Sequence, residues 1–519
     1  MDPENTVPRA EVGGKASDNL FDRRSVAWDV RFGPKNYLML VSAQAASAVF
    51  SFAAVWLAAQ LLGSSGYGRV VAVIAASQAI SQLFVNWTSV SLWRYGVEEF
   101  VETGRIARAF WTRTWILLPN LSIVIVLSPF WLPLLSSLLN LPPQAHRLVL
   151  GHFIATAIWI HVQQGLHGAK LMLTQGFLLA VERLLVLIVA AALLVAGSAS
   201  FLTVALAYIV APLGASLIGL WLLGRLILPV AGVDRARLRL MLTFSLPTLP
   251  ASLVGYLSTN YLDALFITHY LSARDLGIYA VGYQISGMAL QLPLLAGSVL
   301  LPLFVTLQLE GQSERASRFI QNGLPILTLG WGVGCGVLAA IGGYLLPFVF
   351  GDQFQVLGGL LWPLMAAAAL AGPQLMGYLP LSSSRSATYV AMFGAIAAAF
   401  VNVLLNYLFI PRFGLVGCAW ATAAAHGASL MVVFGWVHWR VLARPTWTLQ
   451  AVLPIVIGSI YASIEAVSWQ ALGFVLLLSA ALMLLHLRSA MTGFKMLKNV
   501  LLGKTQMGWV ESVLFYRAQ

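Results

Sequence analysis

At 519 residues, 59% hydrophobic and 9% charged, with a mean hydropathy of +0.84, the chain lacks the charged surface that a soluble domain of its size needs. Its formal charge of +12 raises nucleic-acid binding, but nearly all the basic residues fall in the terminal tails and in short loops between apolar runs, mostly on one side, and no nucleic-acid partner is expected. The two cysteines, Cys335 and Cys418, both lie inside apolar runs, which leaves no disulfide framework and no zinc spacing.

In chain order, residues 1–36 are polar, mix both charge signs and read as an uncleaved cytoplasmic tail. Apolar runs of about 20 residues, the length a helix needs to cross a ~30 Å hydrocarbon layer, then recur. They fall at 37–62, 70–93, 113–136, 148–169, 174–196, 201–224, 243–269, 278–305, 323–348, 356–379, 386–409, 414–438, 449–467 and 471–487. About fourteen transmembrane helices are therefore predicted, in an all-α polytopic membrane protein. With the N-terminus cytoplasmic, 25 of the 30 Lys and Arg lie on the cytoplasmic side, four outside (Arg69, Arg147, Arg274, Arg412), and Arg183 inside a span. That asymmetry obeys the positive-inside rule and places both termini in the cytoplasm.

Polar residues within the spans form stripes. The second span carries Gln78, Gln82, Asn86, Ser89 and Trp93 and ends beside Arg94. On the fourth, His152, Thr156, Trp159, Gln163, His167 and Lys170 recur every three or four residues, so they share one helical face, and that face is expected to line a wet cavity rather than to meet lipid. Helix-to-helix hydrogen bonding is the alternative for any single member. Arg183, in mid-span, is the best candidate for a diphosphate because guanidinium matches phosphate oxygens with two prongs. An interhelical ion pair is the competing reading, and Glu182 beside it is expected to diverge, since consecutive side chains on a helix do not face each other. Lys170, Arg94 and Arg113 near span ends suggest a basic mouth or ordinary orientation signals.

The seventh span carries Ser252, Tyr256, Asn260, Asp263 and Tyr270, and the eighth Gln284 and Gln291, seven apart. A carboxylate in a bilayer-crossing helix costs roughly 2.5–3.5 kcal/mol on insertion scales, so Asp263 is expected to face protein or water. It reads either as a structural hydrogen-bonding group or as a coupling site for a proton or cation, with Asn260 and Glu182 as further coupling candidates. Pro247, Pro250, Pro293 and Pro302 permit bends. "GWGVGCGVLAAIGG" (330–343) lacks the Lys-Ser/Thr of a phosphate loop, so no cofactor is expected, and no acid or histidine cluster suggests a metal. From Arg488 the tail alternates apolar and basic residues, as in a helix lying on the inner membrane face or a disordered tail.

"LLGSSGYGRVVAV" (61–73) aligns with "YLSARDLGIYAVG" (270–282), pairing Leu62 with Leu271 and Gly68 with Gly277 at equivalent joins. "IPRFGLVGCAWATA" (410–423) opens the twelfth span with a similar glycine turn. Two six-helix halves related as repeats follow, with spans thirteen and fourteen appended. The domains expected are 1–36 tail, 37–225 N-lobe, 226–242 basic linker, 243–440 C-lobe, 441–488 the last two spans, and 489–519 a cytoplasmic tail.

The combination of "LLGSSGYG", "SLWRYGVEEF" (91–100), "FSLPTLPASLVGYLSTNYLDALFITHYLSARDLGIYAVGY" (244–283) and "NYLFIPRFGLVGCAWATA" (406–423) resembles the polysaccharide transporters. These are the Wzx-type flippases of the multidrug/oligosaccharidyl-lipid/polysaccharide exporter superfamily. The resemblance implies a V-shaped transporter with alternating access. It also implies an undecaprenyl-diphosphate-linked oligosaccharide as substrate, an inner-membrane location, and partners among membrane lipids, polysaccharide polymerase and export machinery. The product would be exopolysaccharide, capsule or the O-antigen of lipopolysaccharide. A drug/cation antiporter of the same superfamily and a polytopic polymerase or ligase are the alternatives. Short outer loops without clustered acids or histidines argue against an enzyme.

Overall fold

The computed structural model describes residues 34–246, 249, 260–309, 317–378, 387–441, 446–465 and 468–501. Among them there are helices and turns and no strand, as hydrocarbon demands of backbone that must satisfy its own hydrogen bonds. The first half comprises α1 (Pro34–Phe84), α2 (Ser89–Thr103), α3 (Ala107–Val126), α4 (Ser128–Leu138), α5 (His146–Gly168), α6 (Met172–Val195), α7 (Phe201–Ile227) and α8 (Arg235–Ser245). The second comprises α9 (Asn260–Tyr270), α10 (Ala273–Leu309), α11 (Leu324–Phe350), α12 (Leu357–Tyr378), α13 (Ala387–Val441), α14 (Thr446–Glu465), α15 (Ser468–Leu485) and α16 (Leu487–Leu501).

The chain is a multi-pass membrane protein. Ten helices among the described residues are long and apolar enough to cross a bilayer. Two of these are double. Residues Met39–Phe84 and Tyr389–Trp439 form apolar stretches of 46 and 51 residues, each about twice what one crossing needs. Each contains a glycine in the left-handed region, Gly63 at φ 64° and Gly414 at φ 58°, a conformation costly for any residue with a Cβ. The glycine joins expected between spans one and two and between eleven and twelve are thus kinks inside continuous helices. The expected second span is broken instead by a 3₁₀ turn, Asn86–Thr88, and the third divides before Pro129 into α3 and α4. The middle of the expected seventh span, with Ser252 and Tyr256, lies outside the described residues.

Local chemistry sets several starts. Ser200 and Thr203 form a reciprocal capping box at α7. Asp234 accepts from the amides of Ala236 and Arg237 to open α8. Buried Glu99 on α2 accepts from the Arg108 and Ala109 amides at the start of α3 (2.9 and 2.8 Å) and pairs with Arg237 of α8 at 3.1 Å. The basic stretch between the halves is therefore fastened to the first half. In packing, α1 lies against α5, α6 and α7 of its own half and against α10 of the other, while α12 is enclosed by α10, α11, α13 and α14.

Candidate functional site

The two halves meet on either side of the Gly63 kink in the middle of α1. Here the glycines paired by the repeat face each other: a Cβ on Gly68 would stand 1.7 Å from the Ala273 carbonyl oxygen, and one on Gly277 2.0 Å from that of Ser64. Only hydrogen fits at either position. Hydrogen bonds surround the contact: Trp56 and Gln60 donate to the Val349 carbonyl (3.0 and 2.9 Å), the Ser64 amide and hydroxyl donate to Gln353 (3.1 and 3.2 Å), and Asn140 donates to the Thr268 carbonyl at 2.6 Å. Phe52 meets Phe350 edge to face. Gln284, a cavity candidate, also belongs to this inter-half surface, donating to Ser51 at 2.9 Å, while Gln291 is half-buried farther along α10. This end of the bundle is closed.

Asp263 lies in the second half, 1% exposed. The Tyr279 hydroxyl of α10 donates to Oδ2 at 2.6 Å and the Thr422 hydroxyl at 2.9 Å; Asn406 and Asn402 donate to Oδ1 at 2.8 and 3.2 Å. Asn406 also donates to Asn402 at 3.0 Å, and its own Oδ1 is buried without a hydrogen-bond partner among the described residues. One carboxylate thus ties α9 to α10 and to both limbs of α13. With both carboxylate oxygens engaged by four donors the network is rigid, and loss of its acceptor would strand several donors. Beyond Asp263 itself, none of these residues stood out in sequence, although Asn402 and Asn406, four apart in an apolar run, carry the helical signal of a polar face. Asn260 begins α9, and its side chain lies outside the described residues.

In the first half, the fourth-span stripe divides. At one end, buried His152 is hydrogen-bonded through Nδ1 to Ser77 of α1, with Thr156 3.5 Å away, and Trp159 is packed in a core cluster with Leu92 and Tyr95. These three are buried between helices: His152 joins α5 to α1 through Ser77, Thr156 lies beside His152 on the same helix, and Trp159 packs against α2. At the other end Gln163, His167 and Lys170 are half-buried, Lys170 in a left-handed turn at φ 58°. Gln82 accepts from Asn86 across the start of the 3₁₀ break.

Arg183 and Glu182 come together. Their side chains approach to 3.1 Å (Nε to Oε2), although they are adjacent in sequence and were expected to diverge. Arg183 can fold back along the helix because its side chain is long and 36% exposed, whereas Glu182 is 7% exposed and held by packing. The pairing is one of charges rather than a well-aligned hydrogen bond, since that Glu182 oxygen has no hydrogen-bond partner among the described residues. His152 and Tyr208 lie within electrostatic reach of Arg183.

Arg113 is not at a mouth but fully buried. It donates to Thr88 (3.1 Å), Ser89 (2.9 Å) and the Val85 carbonyl (3.3 Å), and contacts His161 Nδ1 at 3.2 Å. It clasps the 3₁₀ break of the second span to α3 and α5. Arg113→Ala, which leaves a hole as well as unpaired acceptors, should cost roughly 2–5 kcal/mol. Arg113→Met, which fills the space, should cost distinctly less, because a buried charge exchanged for an apolar group of similar volume recovers its desolvation cost. Thermal unfolding of the two purified variants checks this order.

The exposed groups gather along the first turns of α2. Trp93 lies 5.6 Å from the His167 ring, and Arg94 pairs with Glu98 at 3.5 Å and sits 4.8 Å over the Phe244 ring. An open groove of about 450 Å³ on the first half is lined by Val90, Trp93, Arg94, Val97, Glu98 and Phe244. Aromatic faces beside a guanidinium can stack on sugar rings and attract phosphate. From Gly68, about 25 residues of nearly continuous helix lead to this groove, nearly 40 Å at 1.5 Å per residue.

A family model described as polysaccharide biosynthesis protein matches residues 34–308, more than half of the chain. Among solved structures, the chain is similar to the lipid II flippase MurJ in an inward closed conformation. Identity is 12% over 86% of this chain and 99% of that one, with a TM-score of 0.64. An inward-facing multidrug resistance MATE family transporter of the MOP superfamily shares 13% identity over 78% of this chain and 98% of that chain, at TM-score 0.59. A MATE transporter of Vibrio cholerae, VcmN, shares 14% over 80% and 98%, at 0.51. At such identities the likeness establishes a common fold. No curated protein sequence matches the chain.

Proposed function

The chain belongs to the polysaccharide biosynthesis protein family, and from that premise we propose that it is a flippase. It turns undecaprenyl-diphosphate-linked oligosaccharide repeat units across the inner membrane by alternating access, for exopolysaccharide, capsule or O-antigen synthesis. The observation that carries the transport reading is the contact of repeat-related glycines across the two halves, together with an exposed aromatic and basic groove on the first half far along the chain from it. A bundle with equivalent halves that touch through backbone at one end can exchange that contact for one at the other. The test is deletion of the gene followed by identification of the lipid that accumulates. A lipid-linked oligosaccharide retained inside supports the proposal. Sensitivity to cationic drugs without any such intermediate overturns it in favour of an antiporter.

In this reading the mouth (Trp93, Arg94, His167, with Gln163 and Lys170 behind) admits the headgroup, Arg183 takes the diphosphate in exchange for Glu182, and Asp263 couples transport to a proton or small cation. Arg183→Ala should abolish export while abundance and membrane insertion stay normal, and Arg183→Lys should restore part, because a point charge lacks the two-pronged fit. Full export by Arg183→Ala would move diphosphate binding elsewhere, first to Lys170. Both termini are cytoplasmic. A cysteine at Ser198 should therefore react with an impermeant thiol reagent in intact cells and one at Ser489 should not, with little background since Cys335 and Cys418 are buried.

A further inference from the structure

The last helix, α16, is amphipathic in a way that the transport reading leaves unused. Its three faces have different fates. Ala490, 1% exposed, packs with Trp447 and Ile326, and at Gly493 a Cβ would stand 2.1 Å from the Asn322 carbonyl oxygen, so this face is pressed flush against the base of α11 and the π-helical turn Phe319–Gly323 that leads into it. Leu487, Met491 and Phe494, spaced by four and three, are 52%, 54% and 46% exposed. Arg488, Thr492 and Lys495 repeat that spacing one residue on, also exposed, about a quarter-turn away at ~100° per residue.

The exposed apolar stripe continues a surface that already faces lipid. Preceding α15 is the least buried of the crossing helices, and its final residues Leu484 and Leu485 are 71% and 74% exposed. After the single turn at His486, whose ring stacks on Trp447 at 5.1 Å, α16 begins at the level where the crossing ends. A helix there with leucine, methionine and phenylalanine along one stripe and basic residues beside it meets acyl chains with the first and headgroup phosphates with the second.

We propose that α16 is an interfacial helix that binds the anionic headgroup layer, with Leu487, Met491 and Phe494 in the acyl boundary and Arg488 and Lys495 on lipid phosphates. Through the Gly493 contact it holds the base of α11 at that layer. The full-length protein, spin-labelled at Met491→Cys or Thr492→Cys, would be placed in nanodiscs of phosphatidylcholine alone or mixed with phosphatidylglycerol. Accessibility to oxygen and to a water-soluble nickel chelate would then be measured. In the anionic discs the label at 491 should be severalfold less accessible to nickel than that at 492, and Arg488→Gln with Lys495→Gln should return the 491 label to its value in neutral discs. Equal nickel accessibility at the two positions overturns the proposal. So does a profile indifferent to phosphatidylglycerol and to the double substitution, which would leave apolar contact alone, or spin–spin broadening between labels at 491, which would make the stripe a contact between two copies.

Discussion

Gly68→Ala is expected to abolish export from a protein that still reaches the membrane in normal amount, and Gly277→Ala should do the same. The added methyl would lie 1.7 or 2.0 Å from a carbonyl oxygen of the opposite half, and backbone cannot turn aside as a flexible side chain can. Within a rigid core such overpacking costs about 1–3 kcal/mol. Here the two halves can part instead, so the same energy shifts the balance between closed and open ends by roughly 5–150-fold. The consequence is directional. A cysteine at Ser64, which is 2% exposed and bonded to Gln353, should be unreactive in the parent closed state and become reactive to a thiol reagent in the Gly277→Ala background. Wild-type export together with an unreactive Ser64 position would show that the closure is not part of the transport cycle. Leu62, also matched by the repeat but without such a close approach, should accept Met with little effect, since volume is nearly conserved.

Replacement of Asp263 is expected to have a comparable effect by another route. Four side chains from α10 and α13 donate to one carboxylate, and Asp263→Ala removes the acceptor of all four. Each buried donor that finds no substitute costs about 1–3 kcal/mol, enough together to unfold the second half or sharply lower abundance. Asp263→Asn separates structure from coupling. It preserves size and one acceptor oxygen, and the Tyr279 and Thr422 hydroxyls can rotate to accept from the new amide. This variant should insert and bind lipid-linked substrate, yet transport in vesicles should no longer respond to a proton or sodium gradient. Transport by Asp263→Asn that still follows the gradient would confine Asp263 to holding α9, α10 and α13 together.

Asp263 also shows how far composition and periodicity reach. A lone acid in an apolar run must be buried against protein or water because hydrocarbon penalises it, so its burial was legible from one dimension. Its partners were not. Asn402, Asn406 and Thr422 stand 139, 143 and 159 residues away, and nothing in a helical repeat states which face of one helix opposes which face of another. The fourth-span stripe marks the same boundary from the opposite side. Its periodicity identified one polar face correctly, but a polar face is satisfied equally by water or by a neighbouring helix, and Ser77 of α1 claims His152.

What the sequence determined by itself is therefore the membrane class, the helical state of the chain and the repeat that pairs Gly68 with Gly277. These follow from the cost of unpaired backbone in hydrocarbon and from local register, both of which act along the chain. What only the tertiary structure decided is that those two glycines touch, that Arg113 is buried as a clasp rather than exposed at a mouth, and that Arg183 folds back onto Glu182. Each depends on distances between helices, which are set by how side chains of distant segments fill the space between them.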